Sequence, residues 1–250
     1  MPATTRRTLA LAALLTVQGC TTTAPPEKAA GDAADINLQL GVAYLQQGRF
    51  DVALEKLQKA LTFREDFPEA HNALAVLYDE RGNKEMAEQH FQRAVALNPS
   101  YQLAVKNYGQ FLCRNQHFAE GEAMFLGMAA DTSAASEAVY EAYVNAGACA
   151  MAVPDNARAE GYLRKALELQ PDGSLALYHM AELTYASKDY LQARAFLQRF
   201  HEQAQPTPES LWLGINIEQQ LGDERLQRDY ARRLLSRFPD SVQARRLNPS

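Results

Sequence analysis

Apolar residues recur along this chain at the spacing of helices. In AEQHFQRAVALNP (residues 87–99) and AEGYLRKALELQP (159–171) they fall three or four apart, on one helical face. No alternation typical of strands runs long enough to compete. The pattern also repeats every 34 residues. Counted from Ala34, positions 7, 8, 11, 15, 20, 24 and 27 hold Leu40, Gly41, Tyr44, Gly48, Ala53, Leu57 and Ala60. Counted from Pro68, they hold Leu74, Ala75, Tyr78, Gly82, Ala87, Phe91 and Ala94. From Gln102 they hold Tyr108, Gly109, Leu112, Gln116, Gly121, Phe125 and Met128. The register then slips by four residues and restarts at Tyr140, with Ala146, Gly147, Ala159, Leu163 and Ala166 in place. A fifth unit starts at Ser174 and a degenerate sixth at Pro208, where Gln227 stands in the position of an Ala.

The pattern has a steric meaning. Each unit reads as two antiparallel helices. Small residues at 8, 20 and 27 let the helices approach, and large residues at 7, 11 and 24 fill the space between them. Gly at 15 eases the turn. Pro near 32, as at Pro99, Pro171 and Pro239, ends the second helix because it lacks an N–H and clashes with the preceding turn. One unit cannot bury its stripe alone, whereas a stack buries a continuous core. The pattern resembles the tetratricopeptide repeat. The resemblance implies an all-α fold, a right-handed superhelix of about six helix-turn-helix units over 34–67, 68–101, 102–135, 140–173, 174–207 and 208–241. First helices should line a concave face, the degenerate sixth unit should act as a cap, and residues 242–250 should form a tail.

The first residues follow a different pattern. Arg6 and Arg7 precede a short apolar run, Leu9 to Val17, well below the ~20 residues that span a bilayer as a helix. Val17-Gln18-Gly19-Cys20 looks like a bacterial lipobox, with Gln18 the less usual member. That likeness implies a signal peptide over 1–19, cleavage before Cys20, lipid on the Cys20 sulfur and acylation of the new amino terminus. A plain secretory signal with Cys20 incidental is the other reading. Thr21 follows the cysteine where Asp would favour the inner membrane, so outer-membrane sorting is expected. Residues 20–33 are rich in Thr, Pro and small side chains without periodicity, and read as a flexible tether.

Composition narrows the chemistry. The formal charge is −5 and the basic residues show no block, which argues against nucleic acid. The five histidines, His71, His90, His117, His179 and His201, have no metal-ligand spacing, and no HExxH, GxSxG, Walker A or GxGxxG motif occurs. No metal, cofactor, small-molecule substrate or enzymatic activity is expected. Trp212, the only tryptophan, reads as core packing in the last unit or as a partner contact.

Cys113 and Cys149 fall near positions 12 and 10 of the first helices of units three and four. Adjacent first helices can bring the sulfurs together. The alternatives are a bridge, worth roughly 3–4 kcal/mol in the chain-entropy model, and two buried free thiols. The concave face is the expected binding surface. Positions 2, 5, 9, 12 and 13 place Leu38, Val42 and Leu45 there as an apolar strip, then Asn72, Val76 and Asp79, then Lys106, Gln110 and Arg114. An apolar strip running into a partly basic end suits an extended or helical peptide with some acidic character. The plainer reading is that these side chains only cover neighbouring helices.

NYGQFLCR (107–114), NAGAC (145–149) and LWLGINIEQQLGD (211–223), together with the lipobox and the repeats, resemble the type IV pilus biogenesis lipoproteins of the PilF/PilW kind. The resemblance implies an outer-membrane pilotin, a monomer anchored through lipid at the periplasmic face. Such a protein binds the pilus secretin and promotes its targeting and assembly into multimers, and so pilus biogenesis and twitching. Two rival readings share the same features: a repeat lipoprotein serving as adaptor in barrel assembly or a murein hydrolase complex, and an enzyme with a hidden carboxylate site.

Overall fold

A computed structural model describes residues 27–131, 135–153 and 156–247. Among the described residues there are thirteen helices and no strand. Six helix pairs follow one another: α1 (Glu27–Gln46) with α2 (Phe50–Phe63), α3 (Pro68–Glu80) with α4 (Lys84–Leu97), and α5 (Gln102–Arg114) with α6 (Phe118–Ala130). Then come α7 (Ser136–Ala150) with α8 (Asn156–Leu169), α9 (Ser174–Ala186) with α10 (Tyr190–Gln203), and α11 (Pro208–Leu221) with α12 (Glu224–Arg237). A short α13 (Val242–Leu247) closes the chain.

Local chemistry sets the ends of these helices. Pro68 and Pro208 open α3 and α11, where a missing N–H costs nothing. The side chains of Asn83, Asp189 and Asp223 accept from the backbone N–H groups of Met86, Gln192 and Leu226, which caps α4, α10 and α12. Thr207 and Ser210 cap α11 reciprocally. At position 15 the chain passes through the left-handed region, with φ of +70° at Gly48, +74° at Gly82 and +74° at Gly222.

Each first helix packs on its second helix and on the first helices of neighbouring units. Second helices touch first helices but not one another. A stack joined more closely along one side curves toward that side, so the first helices lie on the inner face. The core runs through the stack as a series of clusters, from Leu57, Leu74 and Leu77 to Leu211, Ile217 and Leu234. Close approach depends on missing side chains: a Cβ on Gly109 would lie 2.7 Å from the Phe125 ring.

The structure departs from the sequence reading at four places. First, α1 starts at Glu27, so residues 27–33 are helix and not tether. Ala-rich sequence favours this, and packing holds it: Ala34 is fully buried, while Arg64 donates to the Gly31 carbonyl (3.3 Å) and pairs with Asp35 (3.2 Å). Second, the four extra residues before Tyr140 become an added turn at the start of α7. Third, unit six keeps the small-against-large rule one residue out of step. Gly214 faces the Tyr230 ring, with a virtual Cβ 2.8 Å away, at positions 7 and 23. Gln227 therefore never occupies the small-residue site. Fourth, residues 242–247 are not a tail. Helix α13 begins where a seventh unit would begin and buries Ala244 against the last cluster, so the capping role falls there.

Candidate functional site

The inner face is built by contacts that each span 35 residues. Asn107 Nδ2 donates to Asn72 Oδ1 (3.1 Å), and Gln110 Nε2 donates to Asn145 Oδ1 (2.9 Å). Lys106 Nζ lies 2.9 Å from a Glu141 carboxylate oxygen, and Arg114 pairs with Asp79. Every polar residue expected to offer itself to a partner is thus engaged with the next first helix. Lys106 and Arg114 are neutralised in place, which removes the expected basic end. A partner of acidic character finds no unpaired Lys or Arg among these residues.

The apolar strip of unit one is also partly spent. Leu38, Val42 and Leu45 are half-buried against Leu57, Leu74 and their neighbours, as is Val76 against the next cluster. The exposed apolar residues of α1 are instead Ile36 (56% exposed) and Leu40 (41%). They sit on the first described helix, and among the described residues no unit precedes them. Sequence position alone could not separate Leu40 from Leu74, which holds the same repeat position and is buried.

Cys113 and Cys149 form a disulfide with Cα atoms 5.5 Å apart, joining α5 to α7 across the junction of units three and four. Gly121 of α6 accommodates it, since a Cβ there would meet the Cys113 sulfur and the Gly109 carbonyl oxygen. Beside the bridge lies a cavity of about 330 Å³ with Phe118, Phe125, Ala148 and Ala152 in its wall and Gln110, Arg114 and Asn145 at its rim. Small residues at 148 and 152 leave the space. The structure therefore brings together two sets of residues that the sequence singled out separately.

The C-terminal half of the inner face is chemically different. Tyr178 and Trp212 hold position 5 in α9 and α11 and are half-buried, while Leu175 is 55% exposed. Trp212 packs on the last core cluster, and the Arg246 guanidinium lies 6.0 Å from its ring. Glu182 lies 3.0 Å from His179 Nδ1, and Glu209 accepts from Gln243 Nε2 (3.0 Å). Burial first, and then the Glu182 and Glu209 carboxylates, push the Tyr178 hydroxyl well above the usual tyrosine range.

Other titratable groups are structural. His71 Nδ1 lies 2.9 Å from His90 Nδ1, and His71 Nε2 lies 3.1 Å from the Glu65 carbonyl oxygen. With His71 donating to that carbonyl, the neutral pair needs only one proton between the two Nδ1 atoms. Burial, then the neighbouring His71, lowers His90 to about 4, and burial lowers His71. Burial, then Arg233, lowers His201 to about 4. Among the described residues no group of three or more His, Cys, Asp or Glu is placed to hold a metal ion, and no helix is long and apolar enough to cross a membrane. Cys20 and residues 1–19 lie outside the described residues.

Comparison with known proteins agrees with this architecture. A tetratricopeptide repeat family model matches residues 27–70 and 38–102. The type IV pilus assembly protein PilF of Pseudomonas aeruginosa is 26% identical over 245 residues, covering 96% of each chain. The solved structure of Pseudomonas aeruginosa PilF superimposes with a TM-score of 0.71 at 27% identity, over 88% of this chain and 99% of that one. The crystal structure of PilW, described as a widely conserved type IV pilus biogenesis factor, has the same fold, with a TM-score of 0.75 at 24% identity over 86% and 97% of the two chains. With its helix pairs stacked from Glu27 to Leu247 and these relatives matched almost end to end, the chain has the tetratricopeptide repeat fold and is similar over nearly its whole length to the type IV pilus assembly protein PilF.

Proposed function

We propose that this chain acts in type IV pilus biogenesis as an outer-membrane pilotin, a non-enzymatic lipoprotein that binds the pilus secretin and promotes its targeting and multimer assembly. The observation that carries the reading is the end-to-end correspondence with PilF, 96% of both chains, which a shared repeat alone would not produce. The inner face supports it, because a curved row of helices offers a long surface to another chain. Lipid on Cys20 holds the stack at the periplasmic face of the outer membrane. Ile36 and Leu40, on the first described helix, supply an apolar contact for the secretin, supported from beneath by Leu38, Val42 and Leu45.

The test is a deletion strain complemented with wild type, with Cys20→Ser, and with Ile36→Asp, Leu40→Asp. Wild type restores secretin multimers in the outer membrane and twitching. Cys20→Ser restores neither there, and the double Asp variant recovers less secretin from detergent-solubilised envelopes. Multimers and twitching that persist in the deletion strain would overturn the proposal.

A further inference from the structure

We infer that the inner face of units four to six binds a partner segment carrying Lys or Arg beside an apolar residue. This rests on the reading of the inner face as a partner-binding surface, and it fixes the chemistry of what that surface takes.

The first support is the distribution of charge. Helices α7, α9 and α11 contain no Lys or Arg. Their second-helix partners α8, α10 and α12 together carry ten. Most basic residues of this half are therefore on the outer helices, and Arg245 and Arg246 follow on α13. Some first-helix carboxylates are already answered: Glu141 by Lys106, and the buried Glu218 by Arg194 of the outer α10. Glu182 and Glu209 are not. Glu182 contacts the His179 imidazole and the Tyr178 hydroxyl, and Glu209 the Gln243 amide; none of these supplies a fixed positive charge.

Between those two carboxylates the surface is aromatic and apolar. Tyr178 feels both Glu182 and Glu209. Trp212 is one first helix along, and Leu175 stands 55% exposed beside them. Aromatic faces and carboxylates together select a cation on an apolar stem, because the stem covers the ring while the head reaches the acid. The chain supplies an internal example, since the Arg246 guanidinium already lies over the Trp212 ring. In the N-terminal half of the inner face, Lys106 and Arg114 already answer Glu141 and Asp79.

Trp212 is the only tryptophan, so its fluorescence reports on this surface directly. Two synthetic peptides serve as probes, one alternating Arg with Leu and Ser, the other identical but with Glu for Arg. The Arg peptide should shift Trp212 emission, and its binding should weaken between 50 and 300 mM NaCl as screening grows. Glu182→Gln with Glu209→Gln, both isosteric at exposed or half-buried sites, should weaken it about fivefold. Lys106→Gln with Arg114→Gln should leave it unchanged, and circular dichroism confirms helix content in each variant. Equal or tighter binding of the Glu peptide, no binding of either, or no effect of the two Glu→Gln changes would overturn the inference. A pull-down separates this from the pilotin reading. If wild type recovers secretin and the Glu182→Gln, Glu209→Gln variant recovers as much, only the basic-segment inference falls. If wild type recovers none, the pilotin reading falls and the peptide result still decides this one.

Discussion

Units two and three obey the same 34-residue pattern but hold to their successors by different means. Unit two meets unit three through a dense apolar cluster. Phe91 is 1% exposed and packs its ring 5.3 Å from Phe111 and 5.8 Å from Tyr108, with Ala75 and Leu112 around them. Unit three meets unit four differently: the insertion before Tyr140 lengthens α7, which runs along α6, but the buried apolar members there are only Phe125, Ala146 and Cys149, with a cavity beside them. The Cys113–Cys149 bridge crosses this junction. A covalent link there ties two units whose shared core has few large buried side chains.

Removing the bridge should therefore have the largest effect. Cys113→Ala with Cys149→Ala should cost about 4 kcal/mol by the chain-entropy relation, for cysteines 36 residues apart. Urea unfolding with and without reductant measures it, and reduced wild type should match the double variant. A loss below about 1 kcal/mol would mean that the contact of α6 with α7 holds the junction without the bridge, and the contrast between the two junctions would dissolve.

The dense junction gives a contrast of its own. Leu74 of unit two is 1% exposed, while Leu40, at the same position of unit one, is 41% exposed. Leu74→Ala should cost about 3 kcal/mol, within the range for a buried leucine, and Leu40→Ala less than about 1. The two leucines differ in whether a described unit precedes theirs in the stack. Equal costs would show that position within the repeat, and not the neighbour, sets burial.

These pairs also show what the sequence could reveal. Positions 8, 20 and 24 were legible because they state a steric rule that operates within one unit. Gly41, Gly109 and Gly147 each face the large residue sixteen places on, as the pattern requires. What stayed hidden depends on neighbours. The pairing of Lys106 with Glu141 and of Arg114 with Asp79 is set by the 35-residue step to the next first helix. The pattern shows the face a side chain takes, not the charge it will meet. The one-residue shift in unit six was hidden for the same reason, since Gly214 makes sense only once Tyr230 is seen opposite it. Helix α13 was missed because its six residues are too few to show a period.

Unit two also takes its histidines largely out of water, where unit three leaves His117 half exposed. His71 and His90 share a contact in unit two, stacked against Tyr78 and flanked by Glu65, Asp66 and Arg93, whereas His117 of unit three is half exposed beside Glu120. Unfolded histidine titrates near 6.5. Folded His90 does so only near 4, as does His201. Between those values the unfolded chain binds more protons, so stability falls as pH drops from 6.5 toward 4 and is level above about 7. Urea midpoints at pH 7 and pH 5 should show the loss, and His90→Gln should reduce it. His117→Gln should not. Identical slopes for all three proteins would remove the buried pair as a cause.

The smallest effect lies at position 15, where the two units differ by one atom group. Gly82 in unit two turns at φ +74° and Gln116 in unit three at φ +69°. A left-handed backbone crowds a Cβ against the neighbouring carbonyl and costs roughly 1–2 kcal/mol in any residue but glycine. Gln116→Gly relieves that crowding but adds freedom to the unfolded chain, so the net gain should be about 0.5–1 kcal/mol. Gly82→Gln should lose a similar amount, because nothing within 4 Å would stop the new Cβ and only the backbone objects. Opposite signs of similar size in the two swaps would assign the effect to the turn itself. A gain in unit three without a matching loss in unit two would instead locate the strain at the end of α5, where Asn115 donates its side-chain amide back to the Phe111 carbonyl.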